Sequence, residues 1–444
     1  MTQVIPTIPT SPSRTLTNPK PSLLHCAILP FRILQICGFF PLCVKSRGDS
    51  TTPPVITTPP WFQSPSTIWL FTLLFSTIFS IFITPFVQVG VYTKSVTEFI
   101  PTGRTTFFAI NVCWLACSIC GPFISRIVIL CGRKSFVPFW DNYCHLIYKI
   151  KNCGNIEPQI SQHVKWVRRR FITHATLQVA LSIAHYLVSL MYATSSDKFT
   201  LVFSFLAASY QTLSLAMAGF LTFFSLHALI YFVTTYEFCV TQLLSKLQEE
   251  RRLGPHLWSQ YNIWNTVQLY MQLEEHVRDF SNLFKTLLNI FVIYSLGYLL
   301  YFMYFIFLLV AMNDYMFNSL NVIQLIVFNW YICWLASSAS GLEEKSRIFC
   351  VTVKYVQLEG LGANWQRQKV EGQVDNLSAA TLPGFIGLDS ITIRTSVLDL
   401  NLRLVMSMIA AIGTYLVIIV QFQAIEGLPE VLINQPGNIS HYHN

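Results

Sequence analysis

Apolar residues in this chain of 444 residues gather in long blocks, not in the alternation of a half-buried strand or the narrow stripe of a soluble helix. Seven blocks reach the roughly 20 residues with which a helix crosses a bilayer: 68–89, 107–131, 171–193, 200–233, 287–312, 320–340 and 402–422. They predict an all-α membrane protein of seven transmembrane helices. The fourth block is 34 residues long. As a helix it measures about 51 Å, more than a hydrocarbon core of roughly 30 Å covers. It should therefore leave the membrane as a continuous helix, and the amphipathic run at 237–253 agrees.

The first 22 residues are rich in Pro, Ser and Thr, with no apolar core of signal-peptide shape. Residues 23–44 are apolar but carry Pro30, Arg32 and Pro41, which a spanning helix tolerates poorly, so an interfacial or re-entrant piece is expected. A Thr- and Pro-rich linker follows to about residue 65. The chain then divides into an N-terminal region at 1–66, helices one to six at 67–342, a cytoplasmic connection at 343–400, the last helix at 401–422 and a tail at 423–444. The connection ends in a turn region with Gly384 and Gly387. Within 234–286, apolar residues at helical spacing (Ile263, Val267, Tyr270, Leu273, Val277) accompany paired charges such as Glu249, Glu250, Arg251 and Arg252. This pattern reads as a helical pair extending spans four and five, either as solvated faces or as a layer where subunits pack.

Composition supports the membrane reading and charge orients it. Hydrophobic residues make up 53% of the chain and charged ones 11%, with mean hydropathy +0.49; a soluble domain carries about 25% charged residues. The net charge of +8 comes from basic residues between apolar blocks, not from a nucleic-acid-binding patch. With the N-terminus inside, only Lys94, Arg104 and Lys198 of the 29 Lys and Arg lie outside. The positive-inside rule thus puts the N-terminus in the cytoplasm and the C-terminus outside. G-protein-coupled receptors have the opposite orientation. The short outer connections (about 92–106, 194–199 and 313–319) also lack all of the 12 cysteines, and neither D-R-Y nor N-P-x-x-Y occurs where such receptors carry them. The 10 histidines form no pair at metal-ligand spacing and no Gly-rich phosphate loop is present, so no enzyme, metal or cofactor is expected. Asn438-Ile-Ser440 is a glycosylation sequon on the outer tail.

Polar and aromatic residues in the outer halves of helices two to six are the candidate ligand site: Asn111, Trp114, His185, Tyr210, Gln211, Tyr304, Gln324, Asn329, Trp330 and Trp334. Amides and hydroxyls beside Trp faces suit a polar, ring-shaped molecule such as a sugar. The same residue types also serve as helix–helix contacts and interface belts. In the last block Thr414-Tyr415 precedes five aliphatics (Leu416 to Val420) and then Gln421-Phe422. On a helix Thr414, Ile418 and Gln421 share a stripe with Phe422 beside it, a face suited to a pore or a packed seam. Four copies around one axis would bring Ile418, Gln421 and Phe422 to a constriction that closes by dewetting.

This nine-residue pattern resembles the C-terminal signature of the insect gustatory receptors. The run FRILQICGFFPL is similar to the segment before their first span, and FRILQICGFFP and SASGLEEKSR are similar to the sugar-sensing branch. That branch tends to carry an acidic residue directly after the Thr-Tyr pair, where this chain has Leu416. The resemblance implies a tastant-gated, non-selective cation channel in the plasma membrane of a sensory neuron. It implies a sugar or bitter ligand, and a homo- or heterotetramer with other gustatory receptors. Thr414, Tyr415, Gln421 and Phe422 would take the motif positions at the pore, the gate falling at Gln421 and Phe422. A co-receptor subunit of the same family is the alternative, and a metabotropic receptor fits the helix count alone.

Overall fold

The computed structural model describes residues 27–36, 40–45, 55–58, 60, 65, 67–72, 74–75, 105–152, 157–194, 201–252, 260–311, 315–371, 388–394 and 399–426. Side chains at 105–120 and 201–225, among others, lie outside what is described. The elements are α1 (Ile28–Ile36), β1 (Cys43–Lys45), β2 (Val55–Thr57), α2 (Thr105–Asn152), α3 (Glu157–Thr194), α4 (Leu201–Arg252), α5 (Gln260–Ala311), α6 (Tyr315–Glu371) and α7 (Leu402–Glu426). Residues 67–72 and 74–75 are helical at the start of the first apolar block. By length and composition, four helical stretches could cross a membrane among the described residues: Leu226–Arg252, Asn262–Tyr304, Val322–Glu359 and Leu402–Phe422.

Helices α2 to α6 each run well past their apolar blocks. Hydropathy marks where a helix meets lipid, whereas its end is set by caps and by packing partners in water. α4 continues from its apolar block to Arg252 without a break, and α5 begins at Gln260, long before its own block. α6 persists to Glu371, inside the connection that the sequence divides off at 343. Where α4 leaves its apolar run, Thr234 Oγ1 and Thr235 Oγ1 donate to the carbonyls of Ile230 and Tyr231, at 2.5 and 2.7 Å. Polar side chains there are satisfied within their own helix.

These extensions enclose an aromatic core. Phe232 on α4 is fully buried and packs against Tyr143 (ring centroids 5.1 Å), Phe139 (5.4 Å) and Phe280 (5.6 Å). Edge-on contacts dominate, as ring quadrupoles favour. α1 joins this core and does not span. Phe31 stacks on Phe40 at 4.7 Å and meets Trp140 edge-on at 5.0 Å, while Gln35 Nε2 donates to the Leu42 carbonyl at 2.6 Å. Pro30 falls in the first turn of α1, where no backbone donor is needed. β1 and β2 pair antiparallel with Val44 opposite Ile56, tying the end of the expected interfacial piece to the stretch expected to be a linker.

Candidate functional site

α7 is set up from its base. Asn401 Oδ1 caps it by accepting Leu404 N–H at 3.1 Å, and Ser340 Oγ on α6 accepts Leu402 N–H at 2.9 Å. Val405, Met408 and Ile412, spaced for one helix face, are buried. Beyond Ile412 the packing stops, and no residue from Gly413 to Phe422 is buried. Tyr415 is 59% exposed, Ile418 40% and Phe422 55%, and Thr414 and Gln421 are also exposed. Thr414 Oγ1 donates to the Ala410 carbonyl at 3.1 Å, so its hydroxyl has a partner in its own helix. Only 17% of the apolar window of α7 is buried within the chain, against 72% for that of α4.

The segment leading into α7 is fastened to the cytoplasmic layer. Leu388, Ile391, Ile393 and Leu400 are buried, and Leu400 N–H donates to the Ile393 carbonyl at 2.9 Å. Tyr270 Oη on α5 lies 3.0 Å from Ser346 Oγ on α6 and 3.0 Å from the Asp389 carbonyl. Ile391 N–H donates to the same Ser346 oxygen. Burial raises the Tyr270 hydroxyl well above the usual tyrosine range, which keeps it a donor at all working pH values. Close by, Glu237 on α4 lies across Gly341 and pairs with Lys345 on α6 at 2.8 Å. A Cβ at residue 341 would sit 2.6 Å from the Glu237 carboxylate, so glycine leaves room for that pair.

The candidate ligand residues fall into separate groups. Tyr304 is fully buried on α5. Gln324 on α6 is buried and donates from Nε2 to Tyr298 Oη at 3.4 Å. Tyr298 stacks on Tyr294 (5.5 Å) and meets Phe302 (4.4 Å) and Phe328 (4.6 Å) at a tilt, giving a polar aromatic cluster between α5 and α6. Sequence reasoning missed Tyr294 and Tyr298, although Tyr294, Tyr298, Tyr301 and Phe302 recur at helical spacing along one face. Asn329 turns back on its own helix, donating to the Leu325 carbonyl at 3.0 Å. Trp330 and Trp334 sit elsewhere, beside the first residues of the third apolar block. Trp330 meets His174 at 4.5 Å, and Trp334 lies 5.6 Å from Phe171 and 5.1 Å from the Arg170 guanidinium. Asn111, Trp114, His185, Tyr210 and Gln211 are in α2, α3 and α4, but their side chains lie outside the described residues, as does Asn438 entirely. A cavity of about 50 Å³ lies near α1, lined by Phe31, Phe40, Arg133 and Phe284. It is far smaller than the roughly 300–1,000 Å³ of ligand pockets. Among the described residues no cluster of His, Cys, Asp and Glu could hold a metal.

A family profile described as the 7tm chemosensory receptor matches residues 29–426. The chain belongs to this insect chemosensory receptor family. The receptor is thus a multi-pass membrane chemoreceptor with the seven-helix all-α fold. Among solved structures it is similar to the insect olfactory receptor OR5 from Machilis hrabei, with a TM-score of 0.59 at 12% identity over 89% of this chain and 97% of that one. It is also similar to OR5 in complex with eugenol, with a TM-score of 0.58 at 13% identity over 90% and 99% of the two chains. No curated protein matches the chain. At these identities the likeness concerns the fold.

Proposed function

We propose that this receptor is a gustatory receptor acting as a tastant-gated, non-selective cation channel, formed by four subunits whose α7 helices surround the pore. The observation that carries this reading is the outer half of α7. It is an apolar helix bearing Thr414, Tyr415 and Gln421, with no residue from 413 to 422 buried in its own chain. The Tyr415 hydroxyl and the Gln421 amide facing hydrocarbon are costly, so such a helix belongs against copies of itself and a water-filled axis. The exposed residues Ile348, Val351, Tyr355 and Leu358, spaced along one face of the α6 extension, supply an apolar surface for a cytoplasmic contact between subunits.

A sugar is the ligand class proposed first, on the similarity of FRILQICGFFP and SASGLEEKSR to the sugar-sensing branch. The polar aromatic cluster of Tyr298 and Gln324, with the buried Tyr304 further along α5, is the proposed wall of its pocket. A small-molecule ligand is supported by the eugenol complex of OR5. Leu416, in place of an acidic residue, favours the second reading of a bitter or other tastant receptor, or a co-receptor subunit. Whole-cell recording from cells expressing this protein alone, with G-protein signalling blocked, separates these readings. A sugar-evoked cation current supports the first. A current evoked only by bitter compounds, or only with a second family member present, supports the other.

A further inference from the structure

At the cytoplasmic end of the third span, Lys165, Arg168 and Arg169 are all exposed, and among the described residues none of them reaches a carboxylate. Four cations in six residues are clustered where α3 enters the membrane, because Arg170 is followed at once by the apolar block starting at Phe171. The guanidinium of Arg170 is held between two indoles, 4.1 Å from the Trp166 ring and 5.1 Å from that of Trp334 on α6. This arrangement fixes the seam between α3 and α6 at the level of the basic cluster.

The apolar flank above the cluster faces outward. From Arg168, one face of α3 runs through Ile172, Val179, Ile183 and Leu187, at steps of four, seven, four and four residues, and these four are 42–55% exposed. On α6 the exposed Ile323 and Ile326 lead down to Trp330, which is 45% exposed and braced by His174. Two lipid-facing stripes therefore end side by side, one in a half-exposed tryptophan and the other in exposed cations. A soluble phosphate would need the cations alone. An amphiphile uses both features, with acyl chains along the stripes, glycerol against Trp330 and an anionic headgroup among the three cations.

We propose that the α3–α6 seam is a binding site for an anionic phospholipid of the cytoplasmic leaflet. Lys165, Arg168 and Arg169 take the headgroup and Trp330 the interfacial region. Binding is read without current, so the site stands or falls independently of channel activity.

The test is native mass spectrometry of the purified, delipidated receptor titrated with phosphatidylserine or phosphatidylcholine of identical acyl chains. The wild type should bind phosphatidylserine preferentially. The triple variant Lys165→Gln, Arg168→Gln, Arg169→Gln should lose that preference by about 100-fold in affinity, since each surface cation adds roughly a factor of five. The charge-preserving Arg168→Lys, Arg169→Lys variant should retain it. Circular dichroism and gel filtration check the fold, and if the triple variant fails to fold, Arg168→Gln, Arg169→Gln is read the same way with a smaller loss. Equal binding of the two lipids to the wild type overturns the proposal. So does a preference that survives neutralisation, or displacement of the lipid by free inorganic phosphate at equal concentration.

Discussion

Phe232 in the cytoplasmic layer and Phe422 at the far end of α7 are the same residue type in opposite circumstances. Phe232 is 0% exposed and ringed by Tyr143, Phe139, Phe280 and Tyr236; Phe422 is 55% exposed in its own subunit. The layer is a finished core that one chain completes by itself. The outer half of α7 is unfinished in one chain, though its base is capped by Asn401 and tied to Ser340. A helix that is firmly seated at one end and uncovered at the other transmits motion of its base to whatever covers its tip. The link from Tyr270 through Ser346 and Asp389 is where the α5–α6 pair holds that base.

This contrast breaks most readily at the core. Phe232→Ala should destabilise the protein by about 3–5 kcal/mol, by lost transfer energy and the cavity left behind. Thermal unfolding of the purified protein, with surface expression as a second readout, checks it. A loss under about 1 kcal/mol would mean that the layer is not the stabilising core.

A smaller effect comes from His163. It stacks on Phe238 at 4.4 Å, and burial, aided by the nearby Lys345 cation, lowers its pKa to about 4. Because the unfolded chain binds the proton more readily, the stability from neutral His163 is complete above about pH 6.5. It is lost as pH falls from there through about 4, roughly 2 kcal/mol of it by pH 5. Unfolding midpoints at pH 7 and pH 5 should differ more in the wild type than in His163→Phe, which keeps the stacking and cannot titrate.

Tyr270→Phe removes one hydroxyl and leaves the Asp389 carbonyl without that donor, a cost of about 1–2 kcal/mol. If the lead-in to α7 transmits gating, the ligand concentration for half-maximal current should shift further than the loss of stability alone explains. An unchanged concentration–response curve would leave this contact a purely structural one. The least effect on stability should come from Gln421→Ala and Phe422→Ala, within about 0.5 kcal/mol, because neither residue is buried in its own chain.

What the sequence revealed and what it hid follow from the solvents involved. The last helix was legible almost to the residue, since its apolar block starts at Leu402 with the helix and stops four residues short of its end at Glu426. Its buried residues, Val405, Met408 and Ile412, are all apolar and most of the rest of its length is uncovered in its own chain, so hydropathy alone describes it. The α5 extension was legible from the helical spacing of Ile263, Val267, Tyr270, Leu273 and Val277, but the ends of α2 and α6 were not, because there the helix continues through water against other helices and its pattern carries charges. The seating of α1 was hidden for a related reason. Phe31 and Phe40 read as membrane-seeking, yet their apolar surroundings are Phe136 and Trp140 from the α2 extension. Of the candidate ligand residues, Gln324 meets Tyr298 between α5 and α6, while Trp330 and Trp334 meet α3 at His174 and Arg170. Which neighbour a helix face meets depends on the register between helices, which no single segment encodes.

The central claim is that the uncovered half of α7 lines a ligand-gated pore. Ligand-evoked whole-cell current should be recorded from the wild type and from the Gln421→Ala, Phe422→Ala double variant at matched surface expression. The account predicts that the double variant changes the conducting path, with altered relative permeability to monovalent cations or a constitutive leak. Current with unchanged amplitude, ligand dependence and ion preference would contradict it.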